Sequence, residues 1–302
     1  SPPNDFPTWD KLIKEHEPIA GNPTRPAGDL AIIVYTSGST GQPKGVMHSF
    51  GTMSVAASNF VKMFSVNQSD RFISYLPLAH VFERAAIECL SIFSGGQVFF
   101  ADSLDTFVED IKRARPTLFQ SVPRLWLKFQ LGVFSKMPPK KLGLFLKIPI
   151  LNGIVRKKVL TGLGLQDTRL AISGSAPIPP ELVGWYRSLG LELLEGYGMS
   201  ENFCYSHMAR PGRARPGYVG EPDPGCEVRI SDVGEILVKS PADMLGYYLD
   251  EERTKESFTE DGFLKTGDRG EEDELRRLKI TGRVKELFKT SKGKSVAPAP
   301  IE

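Results

Sequence analysis

Tyr35-Thr36-Ser37-Gly38-Ser39-Thr40-Gly41-Gln42-Pro43-Lys44-Gly45 is the stretch from which the fold can be read. Leu30 to Val34, immediately before it, is a short apolar run rich in Ile and Val and reads as a buried strand feeding a loop. Small hydroxylated and glycyl residues let backbone N–H and side-chain O–H groups converge on phosphate oxygens, and Lys44 adds a compact positive charge. The spacing excludes a Walker A loop: Gly38 and Gly41 enclose two residues instead of four, and Gly45 rather than Ser or Thr follows Lys44. A flexible Ser/Gly linker would share the composition, but it has no reason to follow a buried strand or to close on Pro-Lys-Gly.

A chain of 302 residues can bury a sizeable core, as two domains or one large multi-layered one. With 38 basic against 36 acidic residues there is no global electrostatic case for a nucleic-acid partner. Cys89, Cys204 and Cys226 are odd in number and lack metal-type spacing, which favours free thiols in a reducing compartment, the cytoplasm by default. No signal-peptide pattern opens the chain, and no apolar run reaches the length of about 18 residues needed for a spanning helix.

Trp9, Leu12 and Ile13 suit one face of a short entry helix. Phe50, Met53, Ala57, Phe60, Val61 and Phe64 recur at helical spacing, Arg71 to Leu76 reads as a strand, and His80 to Phe93 as a helix ended by Gly95-Gly96. Gln97 to Phe100 is strand-like and Phe107 to Arg113 helical. This alternation predicts a mostly parallel sheet covered by helices, with ligands at the carboxyl ends of the strands. Residues 134–160 mix apolar side chains with lysines; they suit either a membrane surface or a core-packing helix pair with a solvated lysine face, and Pro138, Pro139 and Pro149 favour the pair. Strands at Arg169 to Ile172 and Leu191 to Leu194 deliver Ser173-Gly174-Ser175-Ala176-Pro177 and Glu195-Gly196-Tyr197-Gly198-Met199-Ser200-Glu201, and a helix starting at Pro179-Pro180 separates them. Beyond Arg210, short Val/Ile-rich runs at Glu227 to Ile230, Glu235 to Lys239 and Leu278 to Thr281 predict a smaller antiparallel sheet or barrel.

Taken in order with Thr266-Gly267-Asp268 and Gly282-Arg283, these motifs resemble the adenylate-forming superfamily of acyl-CoA synthetases, luciferases and adenylation domains, and most resemble bacterial long-chain fatty acyl-CoA synthetases. The resemblance implies layered α/β sheets with helices plus a β-rich subdomain. It implies a nucleotide- and acyl-binding region at 1–209, a β-rich region completing the ATP site at 210–284, and the hinge and start of a carboxyl-terminal domain at 285–302. It implies that MgATP activates a fatty acid to an acyl-adenylate, and that CoA then takes the acyl group.

By the same resemblance, Thr36, Ser37, Gly38, Ser39, Thr40, Gly41 and Lys44 hold the β- and γ-phosphates, Ser200 meets the α-phosphate, and Glu201 binds Mg²⁺. Gly174, Ser175 and Ala176 border the acyl carboxylate and the base. Tyr197, within the run Glu195, Gly196 and Gly198, offers a face to adenine. Asp268 takes the ribose hydroxyls, Arg283 is a second ribose or phosphate contact, His80 stands beside the reacting carboxylate, and Lys285 is at the hinge. Val122-Pro123-Arg124-Leu125-Trp126 suggests an acyl tunnel wall or, equally, a buried helix start. Relatives extend further at both ends, so the expectation is a shortened chain that adenylates weakly without its mobile lid. Carrier-protein or luciferase-like acceptors, or binding without turnover, are the competing expectations. Glu271 to Arg277 stands where relatives have a glycine-bearing turn, with no residue that obviously supplies a positive φ.

Overall fold

A computed structural model describes residues 7–18, 20–21, 24–37, 42–103 and 105–284, together with the backbone at 288–289 and 295–296. Strands β1 (Leu30–Ser37) and β2 (Pro43–Ser49) form an antiparallel hairpin, to which β12 (Gly246–Tyr247) adds a third strand on the far side of β2. This corrects the expectation of a buried strand before the phosphate loop: it is one strand of a largely half-exposed hairpin. Only Val34 of its apolar run is buried, and Leu30 is 47% exposed. A short Ile/Val run specifies an extended backbone but not the direction of its neighbour.

The parallel part lies elsewhere. β3 (Arg71–Ser74) pairs with β4 (Gln97–Phe100), and β5 (Leu118–Ser121), β6 (Leu170–Ser173) and β7 (Leu193–Tyr197) run side by side, all parallel. β8 (His207–Met208) and β9 (Glu221–Pro222) then continue the sheet in antiparallel sense. Side chains alternate faces along a strand, and here the alternation divides the core. Leu118, Leu170, Ile172 and Leu194 join one apolar cluster, against helix Phe50–Phe64 and the helical segment Val81–Ser94. Phe119, Ala171 and Leu193 join the other, with Trp126, Phe129 and Tyr186 from helices Pro123–Lys136 and Pro180–Ser188. Trp126 is fully buried, its indole N–H donating to Ile172 O at 3.3 Å while the Tyr186 hydroxyl donates to Trp126 O at 2.7 Å. The stretch from Val122 to Trp126 is therefore a helix start in the core.

Helix Phe50–Phe64 begins where Ser49 accepts the Thr52 N–H at 3.1 Å and Thr52 returns the bond to the Ser49 backbone, a reciprocal cap that fixes the turn out of β2. The expected helix at His80 to Phe93 runs from Val81 to Ser94, with a π-helical turn at Arg84–Cys89. Buried Glu83 anchors it by accepting from Ser74 Oγ at 2.7 Å and the Tyr75 N–H at 3.1 Å. Residues 134–160 form successive helices, but Leu142 is the one buried residue of Pro139–Lys147, and Pro149–Leu163 has none. The favoured core-packing reading holds where Leu142 is buried and Leu160 and Leu163 pack against the core with the lysines solvated, while the bend between the two helices leaves Ile148 and Ile150 exposed.

A four-stranded antiparallel sheet orders β10 (Glu227–Ile230), β11 (Glu235–Lys239), β13 (Leu264–Glu272) and β14 (Leu278–Arg283). Its last turn does find a positive φ, at Arg276 (61°), where none was expected. The Asp273 carboxylate accepts from the Leu275 and Arg277 N–H groups at 3.0 Å and from Arg277 Nε at 2.8 Å, which holds the turn. A left-handed conformation costs a non-glycine residue about 1–2 kcal/mol. Arg276→Gly is therefore expected to raise stability by roughly 0.5–1 kcal/mol in thermal melts. A fall in melting temperature would mean that the exposed Arg276–Glu272 pair outweighs the strain.

Candidate active site

The β1–β2 register sets Thr36 opposite Lys44, and Tyr247 on β12 lies opposite Val46. Gly38, Ser39, Thr40 and Gly41 at the hairpin tip fall outside the described residues, as does Lys285, and of Ser37 only the backbone is described. Glu201 stands on a single turn, Ser200–Asn202, just past β7. The Lys44 ammonium forms an ion pair with Glu201 and donates to the Tyr247 hydroxyl at 2.9 Å, and that hydroxyl donates to Glu201 Oε1 at 2.7 Å. Three groups from distant parts of the chain thus close a triangle.

Burial by itself would raise the carboxyl pKa and lower that of the amine. The opposite charges and hydrogen bonds outweigh it, holding Glu201 below 4.5 and Lys44 above 10.5, so both are ionised at neutral pH. Several contacts fix the turn that carries Glu201. Buried His48 places Nε2 2.6 Å from Ser200 O, and because a carbonyl only accepts, that nitrogen carries the proton. Burial lowers the His48 pKa, in keeping with a neutral ring. Met244 N donates to Glu201 O at 2.8 Å, and Asn202 Oδ1 accepts from Met199 N at 2.9 Å. Gly198 is required by close approach: a Cβ there would stand 2.5 Å from the carbonyl carbon of Cys204.

Tyr197, at the end of β7, donates to Asp268 Oδ2 at 2.8 Å, and Arg283 Nε lies 3.0 Å from Asp268 Oδ1, the two partners being opposite each other in the β13–β14 register. Burial, then the Asp268 charge, raises the Tyr197 pKa well above its usual 10.0, so the phenol keeps its proton. Glu195, on the same strand, is pushed up to about 7 by burial, although the Gly217 N–H at 3.1 Å opposes the shift. Gly196 lies opposite Met208. After β6, Ser175 adopts φ +69°, an uncommon conformation for serine that turns the Gly174–Ala176 segment sharply, and the Phe82 ring lies 3.4 Å from where a Gly174 Cβ would stand. His80, two residues before Phe82, is exposed at the start of its helix and makes no capping bond there. Phe82, Phe60, Ala57, Ala85, Phe203 and Cys204 line an apolar cavity. Phe203 and Cys204 also follow Glu201 by two and three residues, so the ionised pair adjoins the cavity.

Sequence reasoning missed Tyr247 and His48. Tyr247 is brought to Lys44 by strand pairing across 203 residues, a relation with no local signal; His48 shows only as a histidine in a hydrophobic-to-helix turn. Among the described residues no three His, Cys, Asp or Glu side chains converge as a metal cage. One carboxylate is nonetheless enough for Mg²⁺ when phosphates supply further oxygens, and Glu201 fits that pattern. The Thr36 hydroxyl is buried with no hydrogen-bond partner among the described residues, as expected of a group kept for a ligand oxygen.

The sequence profile described as AMP-binding enzyme matches residues 3–248. Long chain acyl-CoA synthetase 6, peroxisomal, of Arabidopsis thaliana is 39% identical over 311 residues, covering 91% of this chain and 44% of the relative. The crystal structure of ATP-bound MatB from Rhodopseudomonas palustris superposes with a TM-score of 0.74 at 31% identity, covering 92% of this chain and 52% of that one. O-succinylbenzoate CoA synthetase (MenE) from Bacillus subtilis, in complex with ATP and magnesium ion, gives a TM-score of 0.71 at 26% identity, over 89% of this chain and 53% of that one. The chain spans about half the length of the curated relatives it matches.

Proposed function

The chain belongs to the AMP-binding enzyme family, and from that premise we propose that it is the nucleotide- and acyl-binding core of an AMP-forming fatty acid–CoA ligase. The observation that carries this reading is the ionised Lys44–Glu201 pair set against an apolar cavity through Phe203 and Cys204. Joining a carboxylate to the α-phosphorus of ATP brings two anions together, so charge neutralisation beside an apolar pocket is what the reaction needs.

Lys44 and the Thr36 hydroxyl hold the terminal phosphates, with the backbone of the hairpin tip. Ser200 meets the α-phosphate, and Glu201 holds Mg²⁺, which would neutralise phosphate charge. The Tyr197 ring supports adenine, while Asp268, steadied by Arg283, accepts from the ribose hydroxyls. Gly174, Ser175 and Ala176 border the carboxylate, whose chain enters the cavity past Phe82. His80 orients the carboxylate without exchanging a proton. The acid displaces pyrophosphate to give the acyl-adenylate, and the CoA thiol then displaces AMP. Cys89, Cys204 and Cys226 are free thiols, which supports placement in the cytoplasm.

The test incubates the chain with MgATP and a mixture of fatty acids, with CoA or an acyl carrier protein supplied as acceptor, and identifies products by mass spectrometry. A retained acyl-adenylate that passes to CoA is expected. Transfer to the carrier protein alone would reassign the acceptor, and nucleotide binding without any adenylate would leave a binding module.

A further inference from the structure

We propose that the surface hairpin of helices Pro139–Lys147 and Pro149–Leu163 docks the protein on an anionic lipid bilayer. This inference is independent of the ligase reading. From Ile111 to Gln166 the sequence has twelve Lys and Arg and no Asp or Glu, in a chain otherwise acidic on balance. Such segregation creates a basic field on one part of the surface rather than the mixed charge of an ordinary solvated face.

Exposed apolar side chains lie within that field. Ile148 and Ile150 at the bend between the helices are 38% and 83% exposed, and Leu144 and Ile154 are 59% and 62% exposed. Helical spacing aligns them with cations: Ile150, Ile154, Lys157 and Lys158 follow one face of the second helix, and Lys140, Leu144 and Lys147 follow one face of the first. The lysines of the hairpin are exposed and, among the described residues, none forms an ion pair. Apolar tips at an exposed bend with lysines on either flank match a bilayer interface, where the tips enter the acyl boundary and the ammonium groups remain with lipid phosphates. The mode is peripheral, since among the described residues no helix is long and apolar enough to cross a membrane. A protein partner would have to supply carboxylates opposite every one of these cations, whereas an anionic leaflet supplies phosphates without regard to register.

The test is flotation of the full chain with vesicles of phosphatidylcholine alone or with about one-third phosphatidylglycerol, at low and high salt. Binding to the anionic vesicles is expected, weakened by salt. Lys140→Gln/Lys141→Gln/Lys157→Gln/Lys158→Gln should reduce it by more than roughly tenfold, and Ile150→Ser/Ile154→Ser should reduce it comparably at low salt. Unchanged melting and MgATP affinity in both variants would show that the fold and the nucleotide site are intact. Several results would overturn the proposal: no vesicle binding by the parent chain, equal binding by either variant, or lipid-free self-association that the serine variant abolishes. The last would assign the face to a second copy of the chain.

Discussion

Replacing Glu201 by Gln is expected to lower adenylation by roughly 10²- to 10³-fold, the scale for removing one preorganised charge from a site where phosphate charge must be neutralised. MgATP affinity should fall with it. The substitution also acts on the folded protein before any ligand arrives, because Glu201 is 8% exposed and the Lys44 side chain 23%, leaving a largely buried ammonium without its counter-charge. The stability cost should be about 1–3 kcal/mol near neutrality, below the full penalty for a broken buried pair since Lys44 retains some water. Its pH dependence is diagnostic. Glu201 has a folded pKa depressed below 4.5, so its contribution is present above that value and lost as pH falls through the folded pKa. Lys44 has a raised folded pKa, so its contribution is present below 10.5 and lost as pH climbs through the folded value. Urea unfolding of the Gln variant should lack both limbs, the acid one below 4.5 and the alkaline one above 10.5. Unchanged MgATP affinity together with an unchanged acid limb would remove Glu201 from the site.

Gly198→Ala should be nearly as damaging, by a purely steric route. The added Cβ meets the Cys204 backbone at 2.5, 2.6 and 2.8 Å, where no flexible side-chain end can move aside. Phe203 (φ 49°) and Cys204 (φ 57°) already occupy left-handed conformations, so the loop has little freedom left. A loss of about 2–3 kcal/mol is expected in denaturant melts, with at least tenfold weaker MgATP binding because the turn bearing Glu201 must shift. Gly184→Ala is the control: nothing lies within 4 Å of its Cβ on an exposed helix face, and it should be neutral or stabilise by up to about 1 kcal/mol. Equal effects from the two substitutions would show that the crowding at Gly198 has no consequence.

The elements that the sequence makes legible are those written in local chemistry. Helix Phe50–Phe64 follows from its apolar spacing, and β6 and β7 follow from apolar runs closed by glycine-bearing turns. The two-sided core was not foreseen, although Leu118 against Phe119 and Leu193 against Leu194 encode it. The pairing of β1 with β2 was not legible because an extended run leaves the choice of partner to the rest of the fold. Arg276 escaped because its left-handed backbone is imposed by three hydrogen bonds to Asp273 rather than by its own residue type. Of the candidate site, motif resemblance could name Lys44 and Glu201 but not their shared partner Tyr247. The exposed hairpin was ambiguous for a related reason: periodicity shows that a helix has an apolar face, not whether anything covers it.

The addition of β12 to the β1–β2 hairpin also sets an order of events during synthesis. Tyr247 and the strand that aligns it leave the ribosome about two hundred residues after Thr36 and Lys44. At about 5–20 residues per second, a nascent chain holds the Lys44 loop for tens of seconds before that third strand exists. Closing so long a loop is also among the slower steps in folding. Ribosome-bound chains halted before residue 246 therefore carry Thr36 and Lys44 while lacking the strand that sets Tyr247 beside Lys44, so the triangle of Lys44, Tyr247 and Glu201 closes only after β12 has emerged.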